Sequence, residues 1–111
     1  MNVGVDIEEV ERFAERMRDE KCLERIFSNE EISYSVTKKN SLQHLAARFA
    51  AKEAVWKALS SKNKKFVITD ISIRNNKAGK PHVYIRNKRY KKIDISLSHT
   101  TKYVVAFAIV F

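Results

Sequence analysis

Two carboxylates stand where this sequence otherwise builds apolar surface. Glu53 lies inside the helical segment 41–59. At about 100° per residue, Leu42, Leu45, Ala46, Phe49 and Trp56 share one arc of that helix, and Glu53 projects into the arc between Phe49 and Trp56. A face of this kind normally turns to the core. There an unpaired, ionised carboxylate is strongly unfavourable or is forced to take up a proton. Asp6 poses the same problem in the apolar run Val3-Gly4-Val5-Asp6-Ile7, which reads as a strand. Each acid calls for a cation, either a metal ion or a buried Lys or Arg. Two of them suggest one shared hard cation. Mg²⁺ sites commonly combine one or two carboxylates with phosphate oxygens and waters, so the chemistry implied is that of phosphates.

The basic residues around Glu53 have two readings. Arg48 and Lys52 are four apart on one helix face, and Glu53 and Lys57 form a second such pair. Exposed ion pairs on a solvated helix would explain Arg48 and Lys52 but not the inward direction of Glu53. A buried Glu53–Lys57 pair is the alternative. The functional reading puts Glu53 on a divalent cation, with Lys57, Lys52 and Arg48 flanking a phosphorylated ligand. Asp6 taken alone could cap a following helix by accepting from the amides of Glu8 or Glu9. A third group, Ser96-Leu97-Ser98-His99-Thr100, ends a strand with hydroxyls, an imidazole and backbone amides that could hold a phosphate or an adenine edge. A simple hydrogen-bonded turn would account for it as well. The chain has no P-loop or GxGxxG. It also lacks a nucleophile elbow and a Cys/His metal cluster.

The elements that must position these groups follow from periodicity. Residues 3–7 read as a strand and 8–20 as a helix, with Val10, Phe13, Ala14 and Met17 at helical spacing. Glu8, Glu9 and Glu11 would favour that helix's positive end. Ser28-Asn29-Glu30-Glu31 has capping-box form and predicts a helix over 30–36. Asn40 or Ser41 caps the long helix, which ends near Ser60 in a basic loop, 61–65. The period then becomes two: 67–74 alternates as a half-buried strand, and Asn75 to Pro81 is a turn. Strands follow over 82–86, 93–97 and 103–111, the last almost wholly apolar and so expected to be covered on both faces. The expected architecture is α+β, a mostly antiparallel sheet packed on one long helix, as a single domain over 1–111.

Bulk properties narrow the function. A chain of 111 residues builds one modest core and gains from oligomerisation. No apolar stretch approaches the roughly 20 residues that cross a bilayer. The start lacks a secretory pattern, and the single Cys22 has no partner for an internal disulfide. A reducing cytoplasm is the expected compartment. The net charge of +9 favours an anionic partner.

Taken in order, these segments resemble the holo-acyl-carrier-protein synthase family of 4'-phosphopantetheinyl transferases. The matching pieces are Gly4-Val5-Asp6-Ile7, Arg48-Phe49-Ala50-Ala51-Lys52-Glu53-Ala54 with Lys57, Gly79-Lys80-Pro81, and Ser96-Leu97-Ser98-His99-Thr100. The resemblance spans nearly the whole chain. It implies transfer of 4'-phosphopantetheine from coenzyme A to a serine of apo acyl carrier protein, with release of adenosine 3',5'-bisphosphate. It implies Mg²⁺ on Asp6 and Glu53, with catalysis by these two and Lys57. Lys57, Lys52 and Arg48 would lie along the pyrophosphate, and Gly79, Pro81, His99 and Thr100 near the adenosine 3'-phosphate. The resemblance further implies a homotrimer with interfacial active sites. Glu53, or a metal-held water positioned by it, is the first choice of proton acceptor for the serine and Asp6 the second. Arg12, Arg16 and Arg25 would steer an acidic carrier protein. Many relatives carry a glycine-containing loop where this chain has Ser60-Ser61-Lys62-Asn63-Lys64-Lys65.

The competing reading is a small basic nucleic-acid-binding module, with Lys62 to Lys65 and Arg86 to Lys92 as its footprint. Asp6 and Glu53 argue against it, because a phosphate-backbone binder would avoid acids near its basic face. The aromatics also fail to interleave with the basic runs as a single-strand platform requires. Neither nucleic acid nor a membrane is an expected partner.

Overall fold

The computed structural model describes residues 1–60 and 66–111; the basic loop 61–65 lies outside the described residues. Strand β1 (Asn2–Glu9) is followed by four helices, α1 (Val10–Arg16), α2 (Glu20–Ile26), α3 (Asn29–Val36) and α4 (Ser41–Ser60). Five strands complete the chain: β2 (Ile71–Asn75), β3 (Pro81–Ile85), β4 (Lys88–Arg89), β5 (Ile93–His99) and β6 (Tyr103–Val110). The α+β architecture with a long helix is as expected, and every strand pairing is antiparallel. The strands divide into two sheets, however, ordered β1-β6-β5 and β2-β3-β4. Alternation identifies a strand but not the edge it joins. Among the described residues no helix is long and apolar enough to cross a membrane.

The first sheet packs on α4 through small residues. Register pairs Gly4 with Ala108, Asp6 with Ala106 and Glu8 with Val104, so these six share one face. Val104, Ala106 and Ala108 are wholly buried there, as are Ala50, Ala54 and Ala58 on α4. Gly4 permits the contact. A Cβ at that position would stand 1.9 Å from the carbonyl oxygen of Ala54 and 2.9 Å from the amide nitrogen of Ala58. The opposite face of the sheet carries Val3, Val5 and Ile7 against Ile109, Phe107 and Val105, and much of it is exposed.

Three local expectations are corrected. The helix expected over 8–20 is shortened to 10–16, because β1 runs on through Glu9, paired with Tyr103, and a further helix over 20–26 was not expected. Asp19 then caps α2 by accepting from the Cys22 amide at 2.9 Å. Residues Ile68–Asp70 form a 3₁₀ turn rather than the start of a strand, since Asp70 Oδ2 accepts from the Val67 amide at 3.0 Å. The apolar stripe assigned to α4 is also displaced. Leu42 and Trp56 are exposed, while Leu45, Ala46, Ala50, Ala54, Val55, Ala58 and Leu59 are buried. The helix is covered on more than one side, by the sheet and by α3, so no single arc describes its core face.

The inward carboxylate answered by a lysine is therefore Glu31, not Glu53. Glu31 and Lys52 are both 0% exposed, with Lys52 Nζ 2.6 Å from Glu31 Oε1. The lysine also donates to the Ile26 carbonyl. Glu31 accepts from the Ser28 amide at 2.8 Å, in the anticipated capping box, and from the Ile73 amide at 2.8 Å. One buried ion pair thus ties α2, α3 and β2 to α4. Burial lowers the Lys52 pKa, and Glu31 pushes it back up. Removing one partner leaves an uncompensated buried charge, at a cost of about 3–5 kcal/mol, whereas replacing both with apolar groups is often neutral. Lys52→Met is expected to lose about that stability in urea unfolding, and the double variant Lys52→Met/Glu31→Leu to recover only part of it, because the Ser28 and Ile73 amides lose their acceptor.

Candidate active site

Strand alternation and the Gly4 contact bring Asp6 against the second half of α4. Lys57 Nζ stands 3.2 Å from Asp6 Oδ1 and donates to the Val5 carbonyl at 2.9 Å. The other Asp6 oxygen, Oδ2, is buried without a hydrogen-bond partner. Glu53 lies beside it: burial raises its pKa, the Asp6 charge raises it further, and Lys57 pulls it back. Lys57 thus pairs with Asp6 rather than Glu53. Since its side chain is half exposed, the pair is worth about 0–1 kcal/mol, and Lys57 can leave it for a ligand at little cost.

Sequence reasoning missed a third acid of this group. Glu8 was assigned to a helix end, but β1 extends through it and alternation turns it to the side of Asp6. Its pKa is raised to about 7, by burial first, then by its hydrogen bond with Asp6 and the charges of Asp6 and Glu53; Arg16 on α1 lowers it. The signal that could have found it was Gly4-Val5-Asp6-Ile7-Glu8, with acids two residues apart. Two carboxylates with raised proton affinity, Glu8 and Glu53, beside the orphaned oxygen of Asp6 are what a divalent cation would relieve. Among the described residues no group of three or more His, Cys, Asp or Glu is arranged to hold a metal ion by itself. The protein's donors thus fit a cation that completes its shell from phosphate oxygens and water.

The remaining expected residues gather elsewhere. Arg48, Gly79, Pro81 and His99 line one cleft of about 380 Å³, together with Tyr34, His44 and Asn75. Arg48 is only 3% exposed. It donates to the His44 carbonyl at 3.1 Å and to Asn75 Oδ1, and its Cζ sits 4.4 Å from the Tyr34 ring centroid. Its Nε is buried without a partner. Asn75 also donates to the Gly79 carbonyl at 2.9 Å, which ties the β2–β3 turn to Arg48. Gly79 adopts φ +87°, a conformation that favours glycine. The cleft is electropositive. His44 has its pKa lowered by burial and by the charges of Arg48, Lys38 and His99.

Two expected ligand contacts are not gathered there. Lys52 cannot lie along a pyrophosphate, because its amine is sealed in the pair with Glu31. Thr100 is absent from the cleft lining; its Oγ1 closes the β5–β6 turn by accepting from the amides of Lys102 (3.2 Å) and Tyr103 (3.0 Å). Asn75 and Tyr34 were missed because only the packed structure sets them against Arg48.

Residues 2–108 match the family model of the 4'-phosphopantetheinyl transferase superfamily. The chain belongs to that superfamily. It is 48% identical over 110 residues to a holo-[acyl-carrier-protein] synthase of Thermodesulfovibrio yellowstonii, covering 97% of this chain and 96% of the relative. It is 40% identical over 116 residues to that of Caldanaerobacter subterraneus, covering 96% and 91%. Among solved structures, the fold is similar to a holo-(acyl-carrier-protein) synthase of Bacillus anthracis in complex with CoA (3',5'-ADP), with TM-score 0.79, 30% identity and coverage of 98% and 94%. It is also similar to the Helicobacter pylori holo-[acyl-carrier-protein] synthase in complex with coenzyme A, with TM-score 0.81, 26% identity and coverage of 98% and 99%.

The acid cluster of this superfamily member has a pH signature. A carboxyl whose folded pKa lies above its unfolded value makes the folded state bind more protons, so stability declines as pH rises from the unfolded value through the folded one. For Glu8 that window runs from 4.5 to about 7. In metal-free buffer, Glu8→Gln is expected to lose less stability than the native chain between pH 5 and pH 8 in denaturant titrations.

Proposed function

We propose that this chain transfers the 4'-phosphopantetheine group of coenzyme A to a serine of an apo acyl carrier protein, in a Mg²⁺-dependent reaction that releases adenosine 3',5'-bisphosphate. The observation that carries the reading is the convergence of Asp6 and Glu53 beside Lys57, with one Asp6 oxygen buried and unpartnered. Asp6 and Glu53 would hold the Mg²⁺, with Glu8 facing the same space. The ion would supply charge neutralisation at the pyrophosphate.

The chain's own residues do the rest. Lys57 leaves its exposed pair with Asp6 and meets the charge that grows on the leaving phosphate. The serine oxygen forms the new bond to phosphorus as the pyrophosphate bond breaks. The serine proton passes to the carboxylate cluster, with Glu53 or a water positioned by it the first acceptor and Asp6 the second. Arg48, expected along the pyrophosphate, is instead fixed by Asn75 and Tyr34 in the cleft with Gly79, Pro81 and His99, and there it would receive the 3'-phosphate end of the nucleotide. Arg12, Arg16 and Arg25 are exposed on α1 and α2 and would meet an acidic carrier protein. Cys22 is a free thiol, in keeping with a reducing cytoplasm.

Two features support a homotrimer with active sites between subunits. Arg48 and Lys57 are nine residues apart on α4, and at about 100° per residue they leave it on opposite sides. The nucleotide cleft and the acid cluster of one chain therefore face apart, and a second copy would bring a cleft to a cluster. The outer face of the first sheet supplies a surface for such an interface: Val5, Ile7, Tyr103 and Phe107 are each more than 40% exposed.

Incubating the protein with apo carrier protein, coenzyme A and Mg²⁺ is expected to add the phosphopantetheine mass to the carrier, read by mass spectrometry. Asp6→Asn and Glu53→Gln should each lower the rate by at least about 10²-fold while leaving the circular dichroism unchanged. Full activity in both would overturn the shared-ion assignment. Phe107→Glu is expected to shift sedimentation from trimer to monomer and to abolish transfer along with it.

A further inference from the structure

The positive charge of this protein is concentrated in one segment. Residues 71–92 contain eight Lys and Arg and no Asp or Glu, so they account for all but one unit of the net charge of +9. This segment is the β2-β3-β4 sheet with its turns. Seven of the eight cations are exposed, and Arg74 is half buried. Among the described residues, acids outside the segment reach three of them within 4 Å: Glu30 at Arg74, Asp94 at Lys80 and Asp70 at Arg86. Among the described residues, no salt bridge engages Lys77, Lys88, Arg89, Lys91 or Lys92.

The patch also has a direction. A cavity of about 180 Å³ opens between β3, β4 and β5, rimmed by Lys80, His82, Arg89 and Lys91. It shares Pro81 and Ile95 as common wall with the cleft that holds Arg48. Arg89 donates to His82 Nδ1 at 3.1 Å, which keeps that imidazole an acceptor and leaves the cationic character to the lysines and Arg89. Close spacing of unpaired like charges is unfavourable unless an anion visits.

We propose that the β2-β3-β4 sheet is an electrostatic collecting surface for the polyphosphate nucleotide, passing it across Pro81 into the Arg48 cleft. This rests on the functional reading above and adds to it a recruitment step by residues that do not hold the bound substrate. The occupant is a small polyanion rather than an acidic protein, because the patch adjoins the Arg48 cleft, whose volume of about 380 Å³ suits a small ligand and not a folded protein. Charges spaced along such a sheet raise encounter rates by about 10–10³-fold. At about 0.1 M salt the screening length is about 10 Å, so the effect belongs to low ionic strength.

The test is stopped-flow binding of adenosine 3',5'-bisphosphate to the native protein and to Lys88→Gln/Lys91→Gln/Lys92→Gln, whose side chains are exposed. At about 20 mM salt the association rate constant should fall about three- to tenfold in the variant with the dissociation rate unchanged. At about 0.5 M salt the two proteins should converge. Equal association rates at low salt, or a change confined to dissociation, would overturn the proposal. If instead kcat/KM falls only when carrier protein is varied at saturating coenzyme A, the sheet serves an acidic protein and the nucleotide assignment is wrong. If the native chain does not bind the bisphosphate at all, the functional reading itself fails and the recruitment step falls with it.

Discussion

The approach of β1 to α4 at Gly4 governs the rest of the structure. The strand lies so near the helix that even a methyl group would overlap the Ala54 carbonyl. Chemistry and packing are interleaved at this contact. Glu53 precedes Ala54, Lys57 precedes Ala58, and Asp6 follows Gly4 by two. Each small residue that lets the backbones close is therefore adjacent, in sequence or on the same strand face, to a residue that would act on substrate. The acid cluster exists because two elements 50 residues apart in the chain are held at the separation that glycine and alanine allow.

Such proximity has an electrostatic cost, and the raised proton affinities of Glu8 and Glu53 express it. The fold holds these carboxylates together against their repulsion by fixing α4 independently on its other side. There the buried Glu31–Lys52 pair joins four elements, and both oxygens of Glu31 have hydrogen-bond partners. The contrast between the two lysines is instructive. Lys52, wholly buried and bound to Glu31 and the Ile26 carbonyl, acts as a structural tie. Lys57, five residues later and half exposed, has a weak partner and remains available for chemistry.

Charge is separated in the same way. Acids cluster where β1 meets α4 and along the first three helices, whereas the β2-β3-β4 sheet is purely basic. Arg48 stands between these territories, buried and pre-oriented by Asn75, Tyr34 and the His44 carbonyl. A phosphate arriving there would meet a guanidinium already fixed in place, with an unused Nε–H.

Much of this was legible along the chain. Period-two runs located the strands other than β4, Ser28-x-x-Glu31 announced the third helix, and the acids at 6 and 53 with Lys57 stood out as one group, because residue type and local spacing are properties of the polymer itself. What the periodicity misjudged was which helix face is buried, since α4 is covered from several sides and its core is alanine rather than a leucine stripe. Lys52 was misread as a ligand for the same reason: its charge is visible in sequence, but its partner Glu31 lies 21 residues away on another helix. Glu8 was hidden by an uncertain strand end. The sequence by itself determined the kinds of groups available and the order of the elements. Only the tertiary structure decided which acid meets which base, because pairing depends on distances between segments that no local pattern encodes.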